Sequence, residues 1–194
     1  MKSIKDNIEN TIIIKNSKFI TNIYRINNYI DIDNYINNIK DKYKDASHNC
    51  YGYIYENKRK CSDDGEPSGT AGNPILDVLD KNELSNVLVI VTRYFGGIKL
   101  GASGLIRAYS NCVCEVLKKC NIIDLINGYN IDIIFDYDII KKIDYILNNV
   151  NIIYKEYKDK VKYNVNVNDD TLNLLNNMDN IRVIVNSNVY LEKS

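Results

Sequence analysis

Three acids, Asp63, Asp64 and Glu66, fall within four residues in the segment CSDDGEPSGTAG. Carboxylates this close could hold a divalent cation or work as an acid/base pair. The spacing is not that of an EF-hand, and Gly65 and Pro67 between the acids leave them free to diverge. The alternative is a turn whose carboxylates accept backbone N–H bonds or pair with Arg93 or Lys99. A second segment, RYFGGIKLGASGLIR, places Gly96, Gly97, Gly101 and Gly104 between Arg93 and Arg107, with Lys99 and Ser103 among them. Backbone N–H groups of such a turn, at the start of a helix, suit a phosphate, and Lys99 and Arg107 add full charge. The pattern is neither a Walker A loop nor a GxGxxG fingerprint, so nucleotide binding does not follow. The competing reading is a tight structural turn with solvated basic residues.

His48 is the only histidine. That excludes a multi-histidine metal site and leaves one imidazole for a triad. A set of His48, Asp64 and Ser68 has no nucleophile elbow to support it. The five cysteines make no CxxC pair, and an odd number is no disulfide framework. Buried free thiols are expected. No catalytic residue, metal ligand or cofactor is assigned.

Six of nine glycines lie between Gly65 and Gly101, with both prolines in the same stretch, so two shaped loops organise the chain. Around them, residues 11–26 read as two short strands or a hairpin broken at Asn16, Ser17 and Lys18. Ile32, Tyr35, Ile36, Ile39 and Tyr43 recur at helical spacing from an Asp31 or Asp33 start. Residues 48–57 alternate, with His48, Cys50, Gly52 and Ile54 on one face. Asn57 to Lys60 reads as a polar turn, and a helix capped by Thr70 runs to Leu79 with Pro74 in its first turn. Residues 86–95 form the most apolar run of the chain, as in a central strand buried on both faces. A helix from Ser103 carries the stripe Leu105, Tyr109, Cys112, Val113, Val116, Leu117 and Cys120.

After a strand edge or linker ending at Gly128 the pattern restarts. Strands at 129–135, 152–157, 163–167 and from 181 alternate with helices begun by Asp138 and by Asp169 or Asp170. The order β-α-β-β-α-β is that of ferredoxin-like folds. The expected organisation is two domains, 1–127 and 128–194, of α+β class.

Formal net charge is zero, which removes a global signal for nucleic acid. Locally, no acid occurs between Glu83 and Glu115 while Arg93, Lys99 and Arg107 do, so an anion-binding surface would be local. No apolar run is long enough to cross a bilayer and the N-terminus lacks a signal-peptide layout, so a cytoplasmic location and no membrane partner are expected. The many Asn, Ile, Lys and Tyr residues have the look of AT-rich codon bias. That blunts a reading of tyrosines as base-stacking groups.

At HNC, SDDGEPSGTAG and RYFGGIKLGASGLIRAY the sequence resembles the YigZ/IMPACT family, through most of residues 18–120. The family motif falls on His48, on Asp63, Asp64, Gly65, Glu66, Pro67, Ser68, Gly69, Thr70, Ala71 and Gly72, and on Arg93, Tyr94, Phe95, Gly96, Gly97, Lys99, Leu100, Gly101, Gly104, Leu105, Arg107, Ala108 and Tyr109. Ala102 and Ser103 stand where Thr and Gly are usual, and Cys61 where Ser is common. If the loop needs positive φ at Ser103, strain is expected there; as an alternative, Ser103 caps the helix. The resemblance implies a first domain like the second domain of ribosomal protein S5, then a ferredoxin-like domain resembling domains of elongation factor G. It also implies a link to translation, since eukaryotic members act in translational control through additional segments not found among these 194 residues.

The reading that joins these observations is a non-enzymatic, translation-associated protein that binds RNA or the ribosome. Arg93, Gly96, Gly97, Lys99, Gly101, Ser103, Gly104 and Arg107 would form the phosphate-binding loop. His48, Asp63, Asp64, Glu66, Ser68 and Thr70 form a motif loop with no assigned role. The alternatives are an enzyme acting on a phosphorylated small molecule, with Asp64 or Glu66 as base or Mg²⁺ ligand, and a regulatory module that binds a protein partner.

Overall fold

A run of apolar residues can be a strand only if both its faces find a cover, and the apolar run at 86–95 finds one on each side. In the computed structural model, which describes residues 1–193, this run is strand β6 (Val87–Tyr94). It lies at the centre of a five-stranded sheet whose neighbouring strands are antiparallel. On one side of it lie β3 (Ser17–Arg25) and then β2 (Ile8–Ile14); on the other lie β4 (His48–Tyr55) and then β5 (Lys58–Ser62).

Alternation along β6 divides its side chains between two cores. Val87, Val89 and Val91 join Cys50, Ile54, Phe19 and Ile23 under helices α2 (Gly72–Lys81) and α3 (Ala102–Leu117). Leu88 and Ile90 join Tyr53 under Ile32, Ile36 and Ile39 of helix α1 (Ile30–Lys42). Each fully buried aliphatic side chain contributes roughly 1.5–3 kcal/mol, so the two covers rather than strand propensity hold β6 in place. A short strand β1 (Lys2–Ile4) pairs with residues 122–124 at the start of β7 (Ile122–Phe135).

The β2–β3 hairpin turns at Lys15 and Asn16, whose φ values of 44° and 65° suit a two-residue turn with both centres left-handed. Residues Asn57 to Lys60, expected as a polar turn, belong largely to β5. Lys58, Arg59 and Lys60 are exposed, so the segment shows no apolar alternation, and only its pairing with β4 makes it a strand. Basic side chains on such an edge also discourage further strand addition. Cys50 and Cys112 are buried, but Cys114 is exposed on α3, so the expectation of buried thiols fails there; all five are free.

The chain forms two compact units, Met1–Asp124 and a second from Leu125 onward. In the second unit β7 continues, followed by a 3₁₀ turn, α4 (Ile140–Ile146), β8 (Asn151–Tyr157), β9 (Val161–Val167), α5 (Asp169–Asn176) and β10 (Ile181–Glu192). The strands stand in the order β10-β7-β9-β8, all neighbours antiparallel. Ile131, Ile133, Phe135, Tyr163 and Val165 on one face pack with Ile143 of α4 and Leu175 of α5. Gly128 does not end a segment: it lies inside β7, opposite Val189. Asn168, not Asp169 or Asp170, caps α5, its side chain accepting from Thr171 N–H at 2.9 Å.

Candidate functional site

Asp63 ends β5's side of the first glycine loop, and its carboxylate turns back into that loop. One oxygen accepts the N–H of Gly69 at 2.8 Å; the other accepts those of Ala71 at 3.0 Å and Gly72 at 2.8 Å. The last two are donors that the start of α2 leaves without a helical partner, and Gly69 belongs to the loop just before it. Thr70 therefore does not cap α2: its hydroxyl donates to the Pro67 carbonyl at 2.6 Å, and an acid from outside the helix does the capping. Burial pushes the Asp63 carboxyl up, but the three N–H bonds outweigh it and hold its pKa below the ordinary carboxylate value.

Asp64 is also committed. Its carboxylate accepts the Asn49 N–H at 2.7 Å and the Lys40 ammonium at 3.0 Å. The Asp64 carbonyl lies 2.9 Å from His48 Nδ1, and because a carbonyl only accepts, Nδ1 carries the proton. Gly65 then packs against the imidazole ring. His48 thus bonds to the backbone of Asp64, not its carboxylate, and Ser68 is exposed, so His48, Asp64 and Ser68 do not assemble as a triad. Among the described residues, no group of three or more His, Cys, Asp or Glu side chains could hold a metal ion.

Glu66 carries the link between the two loops. It is buried, and one carboxylate oxygen accepts from Arg93 Nη1 at 2.5 Å and from the Tyr109 hydroxyl at 2.8 Å. The other oxygen lies 3.9 Å from His48 Nε2. Cys50 adjoins this cluster, with its Sγ 3.3 Å from the Tyr109 hydroxyl and 3.0 Å from the Asp63 carbonyl. Burial pushes the Cys50 thiol up to about 12, with the Tyr109 hydrogen bond offsetting only part of the rise. Burial likewise raises Tyr109, reinforced by Cys50 and Glu66. Both groups stay protonated near neutral pH, so the cluster is a structural donor network and not a nucleophile with its base.

Sequence reasoning places Arg93 at the phosphate surface, and the fold puts it elsewhere. It is only 5% exposed, its guanidinium lies 5.5 Å from the Phe19 ring centroid and 5.6 Å from that of Phe95, and Nη2 approaches Ser17 Oγ at 3.5 Å. The physical reason is its place on β6, where the side chain faces inward beneath the loops and meets Glu66. Its charge is answered inside the protein.

The second glycine loop, 96–101, rests on this buried layer. A Cβ on Gly96 would collide with the backbone of Asn16 and Ser17 in the β2–β3 turn, so Gly96 serves a close approach of chain to chain instead of an anion. Gly101 has φ 71° and stands as N-cap of α3, so the left-handed position belongs to it. Ser103 lies inside the first turn of α3; it neither caps the helix nor needs positive φ. Gly97 and Gly101 face open space. Lys99 and Arg107 are exposed and enter no ion pair among the described residues. Gly104 lies in the first turn of α3, between Lys99 in the loop and Arg107 further along the helix.

Phe95 and Tyr109 lie in the family motif, but sequence reasoning gives them no role in the site, and it gives none to Ser17 or Cys50. Cys50 and Tyr109 read correctly as core positions, and nothing local said that their polar atoms would meet 59 residues apart. Phe95 is 50% exposed although it closes the most apolar run of the chain.

A mixed α/β protein of two sheet-built units is thus defined, with two glycine loops of the first unit joined by a buried Glu–Arg pair. The Impact N-terminal domain matches residues 15–117, and the chain belongs to the IMPACT family. It is 37% identical over 176 residues to the IMPACT family member YvyE of Bacillus subtilis, spanning 88% of this chain and 81% of that protein. It is 33% identical over 111 residues to YigZ of Escherichia coli, spanning 55% of this chain and 54% of the relative. Protein IMPACT of Homo sapiens is 37% identical over 86 residues, 41% of this chain and 26% of that protein. A solved structure described as that of a hypothetical protein shares the fold, with a TM-score of 0.69 at 23% identity, covering 96% of this chain and 97% of its own.

Proposed function

We propose that this protein is a non-enzymatic, cytoplasmic, translation-associated factor that binds RNA or the ribosome through the second glycine loop. The observation that carries the reading is the contrast in charge use. Asp63, Asp64, Glu66 and Arg93 are consumed by internal bonds, whereas Lys99 and Arg107 stand exposed and unpaired around an open glycine turn. The phosphate surface is therefore Lys99, Arg107, Gly97, Gly101 and Gly104, with Arg93, Gly96 and Ser103 as its support. The first unit is read as the S5-like domain, and the second as ferredoxin-like, because its element order and strand order β10-β7-β9-β8 are those of a split β-α-β.

The enzyme reading has less support. Asp64 already accepts a backbone N–H and a lysine, and Glu66 is buried against Arg93 and Tyr109, so neither offers a free carboxylate to a substrate or Mg²⁺.

RNA binding measured by fluorescence anisotropy across a salt series tests the proposal. Combining Lys99→Ala with Arg107→Ala should weaken binding and reduce the slope of log K against log salt by about 1.4, roughly 0.7 for each single-strand phosphate no longer neutralised. Unchanged affinity and slope would remove this loop from RNA binding, and nuclease-resistant capture of a protein would then favour the partner reading.

A further inference from the structure

Exposed aromatic rings are usually mobile or half covered by neighbours, but Phe95 is held. Its N–H donates to Ser47 Oγ at 3.1 Å, Ser47 N–H is tied to the Arg93 carbonyl at 2.9 Å, and the Arg93 guanidinium lies 5.6 Å from the ring centroid. Arg93 is itself fixed by Glu66, so the ring has a rigid, buried support on its inner side. Half of Phe95 is nevertheless open to solvent.

The surroundings are cationic. Lys99 follows in the same loop and Arg107 in the first turns of α3. Lys15 adjoins Asn16, whose backbone touches Gly96. Lys15, Lys99 and Arg107 are exposed and enter no ion pair among the described residues. Asp45, bound by the Tyr94 hydroxyl at 2.8 Å, is the acid on this rim.

We infer that Phe95 is a stacking platform for one unpaired nucleobase, so that the loop takes single-stranded in preference to double-stranded nucleic acid. The inference rests on the proposed RNA-binding function and specifies its substrate class. A flat ring held from beneath offers its outer side to any base, whatever its identity, while the cations take the flanking phosphates. Bases inside a duplex are already stacked on one another and present only phosphate and groove edges, which Phe95 does not recognise. Binding is therefore tolerant of sequence and selective for unpaired strand.

The test compares a labelled short RNA single strand, its DNA counterpart and the blunt RNA duplex of the same sequence, using the full chain. Wild type should bind the single strands more tightly than the duplex. Phe95→Leu should weaken single-strand binding by roughly 10-fold, as when one base–ring stack is removed, and leave the salt slope unchanged. Phe95→Trp should retain the affinity, and equal melting temperatures for all variants would show that the ring's loss did not act through the fold. Equal binding of duplex and single strand, or no effect of Phe95→Leu, overturns the inference while leaving RNA binding in place. No binding of wild type to any of the three overturns the proposed function, and this inference with it. Matched affinity for RNA and DNA single strands supports a site that reads base and phosphate but not the sugar hydroxyl; a strict RNA preference that survives Phe95→Leu opposes it.

Discussion

The two glycine loops both carry charged residues, acidic in the first and basic in the second, and turn them in opposite directions. In the first, every acid points inward: Asp63 to three backbone N–H groups, Asp64 to Asn49 and Lys40, Glu66 to Arg93 and Tyr109. In the second, Gly96 packs on the β2–β3 turn while Phe95, Ile98, Lys99, Ile106 and Arg107 face water. The difference teaches that a cluster of charged residues among glycines is not by itself a reaction centre. In this chain the acidic loop is a brace, and the basic loop is the surface it holds in shape.

The sharpest way to break that contrast is to remove the pair that joins the loops. Glu66→Ala leaves the Arg93 charge buried without a partner, and breaking such a pair costs about 3–5 kcal/mol, to be read in urea unfolding. A cost below about 1 kcal/mol, as for an ordinary surface salt bridge, would show that the two loops are not held by it.

Asp63→Asn should have a smaller effect, about 1–2 kcal/mol. The amide oxygen can still accept from Ala71 and Gly72, but its NH₂ would face the Gly69 N–H, donor against donor. The pH dependence follows from the depressed Asp63 pKa. The folded carboxyl titrates below its unfolded value of 3.8, so its stabilisation is present above that pH and is lost as pH falls through the folded pKa. The Asn variant should therefore lose less stability than wild type on acidification below about pH 4. Equal acid limbs in the two proteins would remove Asp63 as a source of acid sensitivity.

The smallest effect on stability belongs to the basic loop. Lys99→Ala with Arg107→Ala should change unfolding free energy by no more than about 0.5 kcal/mol per site, since neither side chain has an ion partner to lose. Thermal or urea unfolding checks this. A large loss would mean that the second loop is as much a brace as the first.

The apolar run at 86–95, the helical stripes of α1 and α3 and the alternation in the second unit were legible because they depend on the spacing of neighbours along the chain. So was the concentration of glycines that marks both loops. Less legible were β5, whose exposed Lys58, Arg59 and Lys60 become a strand only by pairing with β4, and the cap of α2. Asp63 reaches α2 across six to nine residues, so the nearer Thr70 looked like the better cap.

What the sequence determined by itself is the family motif, most of the order of strands and helices apart from β1 and β5, and the residues available for chemistry. Only the tertiary structure decided which of them face water. Local backbone preferences and apolar periodicity act within a few residues, but the Glu66–Arg93 bond spans 27 positions and the Glu66–Tyr109 bond 43. Their meeting depends on the order in which strands join the sheet and on α3 returning across it. That packing turned Arg93 from a surface cation into a buried support, and left Lys99, Arg107 and Phe95 outside.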